Sequence, residues 1–451
     1  MTILEAAVAL RAKKVSSLEL TTDALRRIAG ANRRLNAFIT VLEEEARARA
    51  QTCDEEIARG MDRGPLHGVP IAHKDLVLTK GIHTTAGSKL FSDFIPDHDA
   101  DIVTKLNDAG VVLLGKTGLH ELAYGITSNN PHFGAIHNPW DLDRIPGGSS
   151  GGSGAAVAAD LVPMATGTDT GGSIRIPASF CGVAGLKPTY ERVSRRGVLA
   201  LGLTLDHIGP LTRTVRDAAV AFHAMADQPS GYVPPAQVDI RGLRIGLPQN
   251  YYFDRIDVEV HAAVRTAVQT AAALGATIVD VRVPDIDALN VVGRVLLLSE
   301  AVSVLRPHLG RRADFGTDVL ALLDQGRLIP AADYLDAQRL RRIFIHEFSK
   351  LWTQADCVFT PATPIAAPKI GQTTVQIGAA TDDTRLATTR FARGINVLGV
   401  PALAMPCGFT QAGLPIGLQI LAAPLQEDRL LRIGAAIEDA LGVISRRPNV
   451  A

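Results

Sequence analysis

Cysteine is scarce in this chain. Its four copies, Cys53, Cys181, Cys357 and Cys407, stand far apart with no C-x-x-C pair among 451 residues. That spacing supports neither a zinc site nor a disulfide framework, and reduced thiols in a cytoplasmic protein are the expectation. A charge excess of either sign is also missing, since 46 Lys and Arg balance 46 Asp and Glu. Nucleic acid is therefore not an expected partner, because such binders carry a basic excess or stripe. The first residues, MTILEAAVALRAKK, lack a basic segment followed by an apolar core and do not read as a signal peptide. Residues 394–426 carry no charge, yet Pro401, Pro406, Pro415 and Pro424 interrupt them. Buried strands and turns fit that stretch better than a span of ~20 apolar residues, so no membrane is expected.

What is abundant is apolar, at 47% of the chain, enough for a large buried core. Residues 3–60 read as helical. Ser16 and Glu19 form a capping box, and Leu25, Ile28 and Leu35 follow at helical spacing. Residues 69–75 (VPIAHKD) read as a short apolar strand that ends in a lysine and an aspartate. A helix over 101–110 and a buried parallel-type strand over 111–114 come next. Strand, helix and strand recur at 243–247, 257–274 and 277–281. The alternation predicts an α/β protein, a mixed central β-sheet with helices on both faces. One domain spans 1–451, with 1–225 and 346–451 as its core and 226–345 as a more variable, largely helical portion. Gln228-Pro229-Ser230-Gly231 and Pro234-Pro235 mark the boundary.

Residues 146–188 organise the rest. They hold two Gly-Ser clusters, 147–154 and 171–173, around an apolar run that reads as a small-residue helix and a strand. Glycine lets a backbone turn tightly and approach closely, so the clusters present serines on turns. Several nucleophile motifs compete. Residues 110–117 (GVVLLGKT) spell a P-loop, but the residues between the glycines belong in a strand, where a phosphate cradle needs a loop. G-x-S-x-G occurs twice, at 147–151 and 148–152, yet the later histidines, His207, His223, His261, His308 and His346, stand in no catalytic setting. No lysine has a serine three residues before it, which removes the S-x-x-K pair. A serine activated by lysine is the remaining chemistry. It requires a neutral amine, so burial must lower a lysine from its reference ~10.4. Lys74 is the candidate on the 69–75 strand, unless it snorkels to water from a sheet edge.

The blocks GGSSGGS, GTDTGGSIR and FCGVAGLKP, in that order, resemble the amidase signature family. GPLHGVPIAHKD, TTAGS, GKTGLHELAYG, GVPALAMPCG and GLPIGLQI extend the resemblance over most of the chain, most weakly between about 226 and 345. The resemblance implies an amidase-signature fold and a catalytic set of Lys74, Ser149, preceded by a cis peptide, and the nucleophile Ser173. In it Ser173 attacks a carbonyl, Ser149 relays the proton to Lys74, and water hydrolyses the acyl-enzyme. The backbone N–H groups of Thr170, Gly171, Gly172 and Ser173 make the expected oxyanion hole. Asp169 and Arg175 are expected to hold that loop by pairing, and Ser150 to join the relay. Tyr124, Gly125, Ile126, Thr127, Trp140 and Ile176 are the expected pocket residues. Arg341 joins them because it matches a basic position used for a substrate carboxylate in the similar A chains of tRNA-dependent amidotransferases. No cofactor or metal is implied.

The expected substrate is a small-molecule amide or carbamate. An apolar Ile176 after the SIR arginine points to hydrophobic or aryl amides, with esters sharing the intermediate. The alternatives are the glutamine-hydrolysing A subunit of a tRNA-dependent amidotransferase and, from another class, an inactive binding or scaffold protein. A monomer or homodimer is expected.

Overall fold

The strand Pro70–Lys74 is buried along its whole length, including His73 and Lys74. It runs parallel to Val112–Thr117, whose Gly115 admits Thr40 O of the neighbouring strand where a Cβ would lie 2.1 Å away. On its other side Ala72 pairs with Ala165 of Met164–Asp169. These three strands place Lys74 at the C-terminal end of the sheet beside Thr168.

The computed structural model describes residues 1–226 and 232–449. Within them eleven strands form one mixed sheet. Its order is Phe38–Val41, Val112–Thr117, Pro70–Lys74, Met164–Asp169, His207–Thr212, Ala184–Lys187, Ala402–Phe409, Pro415–Leu421, Cys357–Pro361, Arg244–Pro248 and Thr277–Val281. The last two come from the variable portion, which thus extends the same sheet. The expected boundary at Gln228-Pro229-Ser230-Gly231 lies outside the described residues.

Ser16 and Glu19 cap the helix Ser17–Leu35 reciprocally, and Asn36 ends it in the left-handed region while its amide donates to Phe133 O and Ala135 O. Such a cap is worth ~1 kcal/mol. The continuous helical reading of 3–60 is corrected by the strand Phe38–Val41, which pairs antiparallel with Val112–Thr117. The helix Gly151–Ala158 consists of small residues without exposed surface. A Cβ on Gly152 would fall 2.5 Å from both Ala37 O and Gly118 O, so close backbone approach requires glycine there. Ile286–His308 is apolar and long enough to cross a bilayer by length and composition, and its helical part packs on Thr317–Gly326, Ala331–Ser349 and Arg393–Leu398.

Candidate active site

Lys74 Nζ lies 2.7 Å from Ser149 Oγ, 3.0 Å from Ser150 Oγ and 2.8 Å from Thr168 Oγ1. Thr166 and Thr168 alternate onto one face of their strand, and Thr166 Oγ1 accepts the Lys74 main-chain N–H at 3.1 Å. Burial pushes the Lys74 ammonium down to about 7, against the opposing pull of the Asp169 and Asp206 charges. Lys74 is therefore neutral in an appreciable fraction of molecules near pH 7, as a general base must be.

The Gly148–Ser149 peptide is cis. The Ser149 carbonyl accepts His120 N–H at 3.1 Å and the Ser128 hydroxyl at 3.4 Å. Ser150 joins the two Gly-Ser clusters: its N–H donates to Ser173 O at 3.2 Å, its hydroxyl donates to Thr168 O at 3.2 Å, and it accepts Thr168 N–H at 3.3 Å. Ser173 is 6% exposed, and no hydrogen bond among the described residues ends on its Oγ. The chain of contacts is thus closed from Lys74 to Ser149 and open between Ser149 and Ser173. Catalytic hydrogen bonds commonly tighten only when substrate is present.

The loop before Ser173 is built around one buried carboxylate. Asp169 accepts Gly172 N–H at 2.7 Å, Ile174 N–H at 3.1 Å, Arg175 N–H at 3.3 Å and Asn396 Nδ2 at 2.9 Å. Arg175 adds Nε at 3.0 Å and Nη2 at 2.9 Å, and itself reaches Gln419 Oε1, Ala392 O and Asn396 Oδ1. Burial alone would raise Asp169, but the Arg175 charge and these bonds hold it well below the usual carboxylate range. The Gly172 N–H is consequently turned inward. Of the four N–H groups expected to serve an oxyanion, that of Gly172 is thus already engaged by Asp169, whereas those of Thr170, Gly171 and Ser173 have no acceptor among the described residues. Gly172 has φ +123°, and a Cβ there would lie 2.7 Å from Ala392 Cβ and Ile176 Cδ1. Asp206 fixes the other flank by accepting Thr170 Oγ1 at 2.6 Å.

A family model for amidases matches residues 19–431. The chain belongs to the amidase family. It is 38% identical to the A chain of glutamyl-tRNA(Gln) amidotransferase from Coxiella burnetii (strain Dugway 5J108-111), over 96% of this chain and 95% of that protein. A crystal structure of an amidase superposes with a TM-score of 0.91 at 36% identity, covering 97% of this chain and 99% of that one. Native peptide amidase from Stenotrophomonas maltophilia superposes with a TM-score of 0.84 at 29% identity, over 99% and 98%.

The expected pocket residues of this amidase do not share one surface. Tyr124 is buried and lines a cavity of 180 Å³, with its hydroxyl unpartnered. Gly125 makes room for the His120 ring, and Thr127 Oγ1 contacts His120 Nδ1 at 3.2 Å. Ile126 and Ile176 are buried with Ile145, Phe180 and Ala367. Ile176 is fully buried and packs beside Gly172, 2.7 Å from where a Cβ would stand. Trp140 donates Nε1–H to Cys181 O at 2.8 Å and packs on Phe409. Arg341 donates to Val397 O at 2.7 Å and Thr204 O at 3.0 Å, so its guanidinium is committed to main-chain carbonyls. Neither residue lines the Tyr124 cavity.

Sequence reasoning missed Thr168, Asn396 and Gln419. Period-two alternation within GTDTGGS is a usable signal for Thr168, while Asn396 and Gln419 reach Arg175 from 221 and 244 residues away. Among the described residues, Cys53, Glu56 and His67 make the one cluster with metal-ligand geometry. Arg63 already pairs with Glu56, burial pushes the Cys53 thiol up to about 11, and the cluster shares no residue with the Lys74 site.

Proposed function

We propose that this amidase hydrolyses C–N amide bonds through an acyl-enzyme on Ser173. The observation that carries the reading is a buried lysine, brought down to about 7, at 2.7 Å from Ser149 Oγ. Ser173 Oγ attacks the carbonyl carbon while its proton passes to Ser149 and the Ser149 proton to Lys74. The oxyanion develops toward the free N–H groups of Thr170, Gly171 and Ser173, each worth ~3 kcal/mol if used. Collapse of the intermediate breaks the C–N bond, and the proton held at Lys74 returns through Ser149 to the leaving nitrogen. Water then attacks the acyl-enzyme by the same relay, releasing the acid and restoring Ser173. Carbamates and esters pass through the same intermediate.

The 38% identity to an amidotransferase A chain favours glutamine hydrolysis as the second reading. The test is turnover of glutamine, short aliphatic amides, acetanilide and an aryl carbamate by wild type, Ser173→Ala and Lys74→Ala, with a fluorophosphonate label located by mass spectrometry. Labelling at Ser173 and loss of turnover in both variants is the expected result. Turnover that survives Ser173→Ala sinks the assignment, and activity confined to glutamine moves the chain to the second reading.

A further inference from the structure

Two arginines beside the nucleophile loop form no ion pair at contact distance, although the Asp318 and Asp383 charges act on one of them, Arg385. The guanidiniums of Arg385 and Arg393 make no hydrogen bond and no ion pair among the described residues; that of Arg385 lies over the Tyr124 ring, 5.9 Å from its centroid. Both line the 180 Å³ cavity with Tyr124 and Arg294, and Arg393 and Arg294 also line an adjoining cavity of 400 Å³. Burial, together with the neighbouring Arg385 and Arg294 charges, pushes Arg393 down to about 10. The aspartates at these walls are otherwise engaged: Asp382 pairs with Arg255, and Asp383 accepts Leu386 N–H at 2.9 Å as a helix cap. Asp287 lines the larger cavity and not the smaller one. Arg385 and Arg393 are half-buried, and like charges lining one partly desolvated cavity repel until an anion joins them.

One wall of the cavity, Arg393, stands beside the nucleophile loop. The Arg393 stem passes 3.9 Å from where a Gly171 Cβ would stand. Tyr124 lies four residues before Ser128, whose hydroxyl donates to Gly147 O at 2.9 Å. Tyr124 is 2% exposed, its hydroxyl is unpartnered, and burial pushes its pKa up to about 12, so it remains a donor.

We infer that Arg385, Arg393 and the Tyr124 hydroxyl form a carboxylate-binding pocket, and that the substrates of this chain are amides that carry a carboxylate. The inference rests on the amide-hydrolase reading for the substrate and on geometry alone for the anion. A planar carboxylate suits a guanidinium fork, and the hydroxyl supplies a further donor. Arg341, the basic residue singled out by resemblance, is not part of the pocket.

The test has two arms. In the first, monoamides of dicarboxylic acids of increasing chain length, and N-acetyl amino acids, are compared with neutral amides of the same length. One carboxylated length is expected to exceed its neutral counterpart by about tenfold or more in kcat/KM, and Arg385→Gln is expected to reduce that ratio by about tenfold, through KM. In the second arm, binding of the matching carboxylic acids to Ser173→Ala is measured by calorimetry, with and without Arg385→Gln. Arg385 is the less deeply buried of the pair, which keeps the test usable if Arg393→Gln does not fold. Ratios within twofold at every length, or acid binding unchanged by Arg385→Gln, overturn the pocket. Arginine-dependent acid binding without amide turnover upholds the pocket and overturns the hydrolase reading instead.

Discussion

Lys74→Met keeps the length and most of the volume of a fully buried side chain while deleting its proton site. In the unfolded chain lysine titrates near ~10.4, and in the folded protein Lys74 titrates at about 7. Between those values the unfolded chain holds a proton that the folded chain has released, so stability rises with pH across the window and is lowest below about 7. Each unit corresponds to ~1.4 kcal/mol. At about pH 7 the folded site is half protonated and at about pH 9 it is empty, so wild type is expected to gain about 2 kcal/mol on the variant between these conditions. Contributions from Lys116, Lys187, Asp217 and Glu438 cancel in the difference, because both proteins carry them. The hydroxyls of Ser149, Ser150 and Thr168 lose their partner at either pH. The measurement is denaturant unfolding at the two pH values, followed by tryptophan fluorescence from Trp140 and Trp352. A wild-type gain below about 0.5 kcal/mol would refute the claim that burial holds Lys74 near neutrality. The kinetic counterpart is a kcat/KM that rises with pH through about 7 and then levels off.

Gly172→Ala forces a Cβ to 2.7 Å from Ala392 Cβ and Ile176 Cδ1 at a left-handed φ, and is expected to cost ~1–3 kcal/mol in thermal unfolding and most of the activity. Asp169→Ala strands the buried Arg175 guanidinium and is expected to cost ~3–5 kcal/mol, or to prevent soluble expression; a well-folded active variant contradicts the scheme. Glu438 shows the opposite pH behaviour to Lys74. Burial raises it to about 8, so the folded chain binds its proton more tightly and its contribution falls as pH rises through about 4.5 to 8. Glu438→Gln, which retains an acceptor for Val215 N–H, is expected to gain ~3.5 kcal/mol on wild type between about pH 5 and pH 8, read by denaturant unfolding.

Much of this arrangement is legible in the chain because it is local. The Ser16–Glu19 box, the apolar strand before Lys74 and the strand pair at 244–248 and 277–281 follow from short-range pattern, and the structure places them within a residue or two of expectation. The four residues Phe38–Val41 are too short to interrupt a helical reading, since their strand character comes from pairing with Val112–Thr117. Glycines in GTDTGGS announce a turn, but not that Asp169 draws the Gly172 N–H inward, because that direction is set by Arg175 and by Asn396, which is far away in the chain. Arg393 and Arg385 lie in an otherwise ordinary polar stretch. Their meaning depends on what they lack as partners, which is a property of three dimensions.

Six hydrogen bonds converge on the Asp169 carboxylate, from Gly172, Ile174, Arg175 and Asn396, and none of these groups belongs to the surface. The turn that carries Ser173 is cast around an anion inside the core, so ionic strength and surface substitutions are expected to have little leverage on it. Arg175 ties the turn to Gln419 of Pro415–Leu421, so on heating the turn is expected to persist while that strand and Ala402–Phe409 hold their register. Competence and fold are then expected to be lost in one melting event.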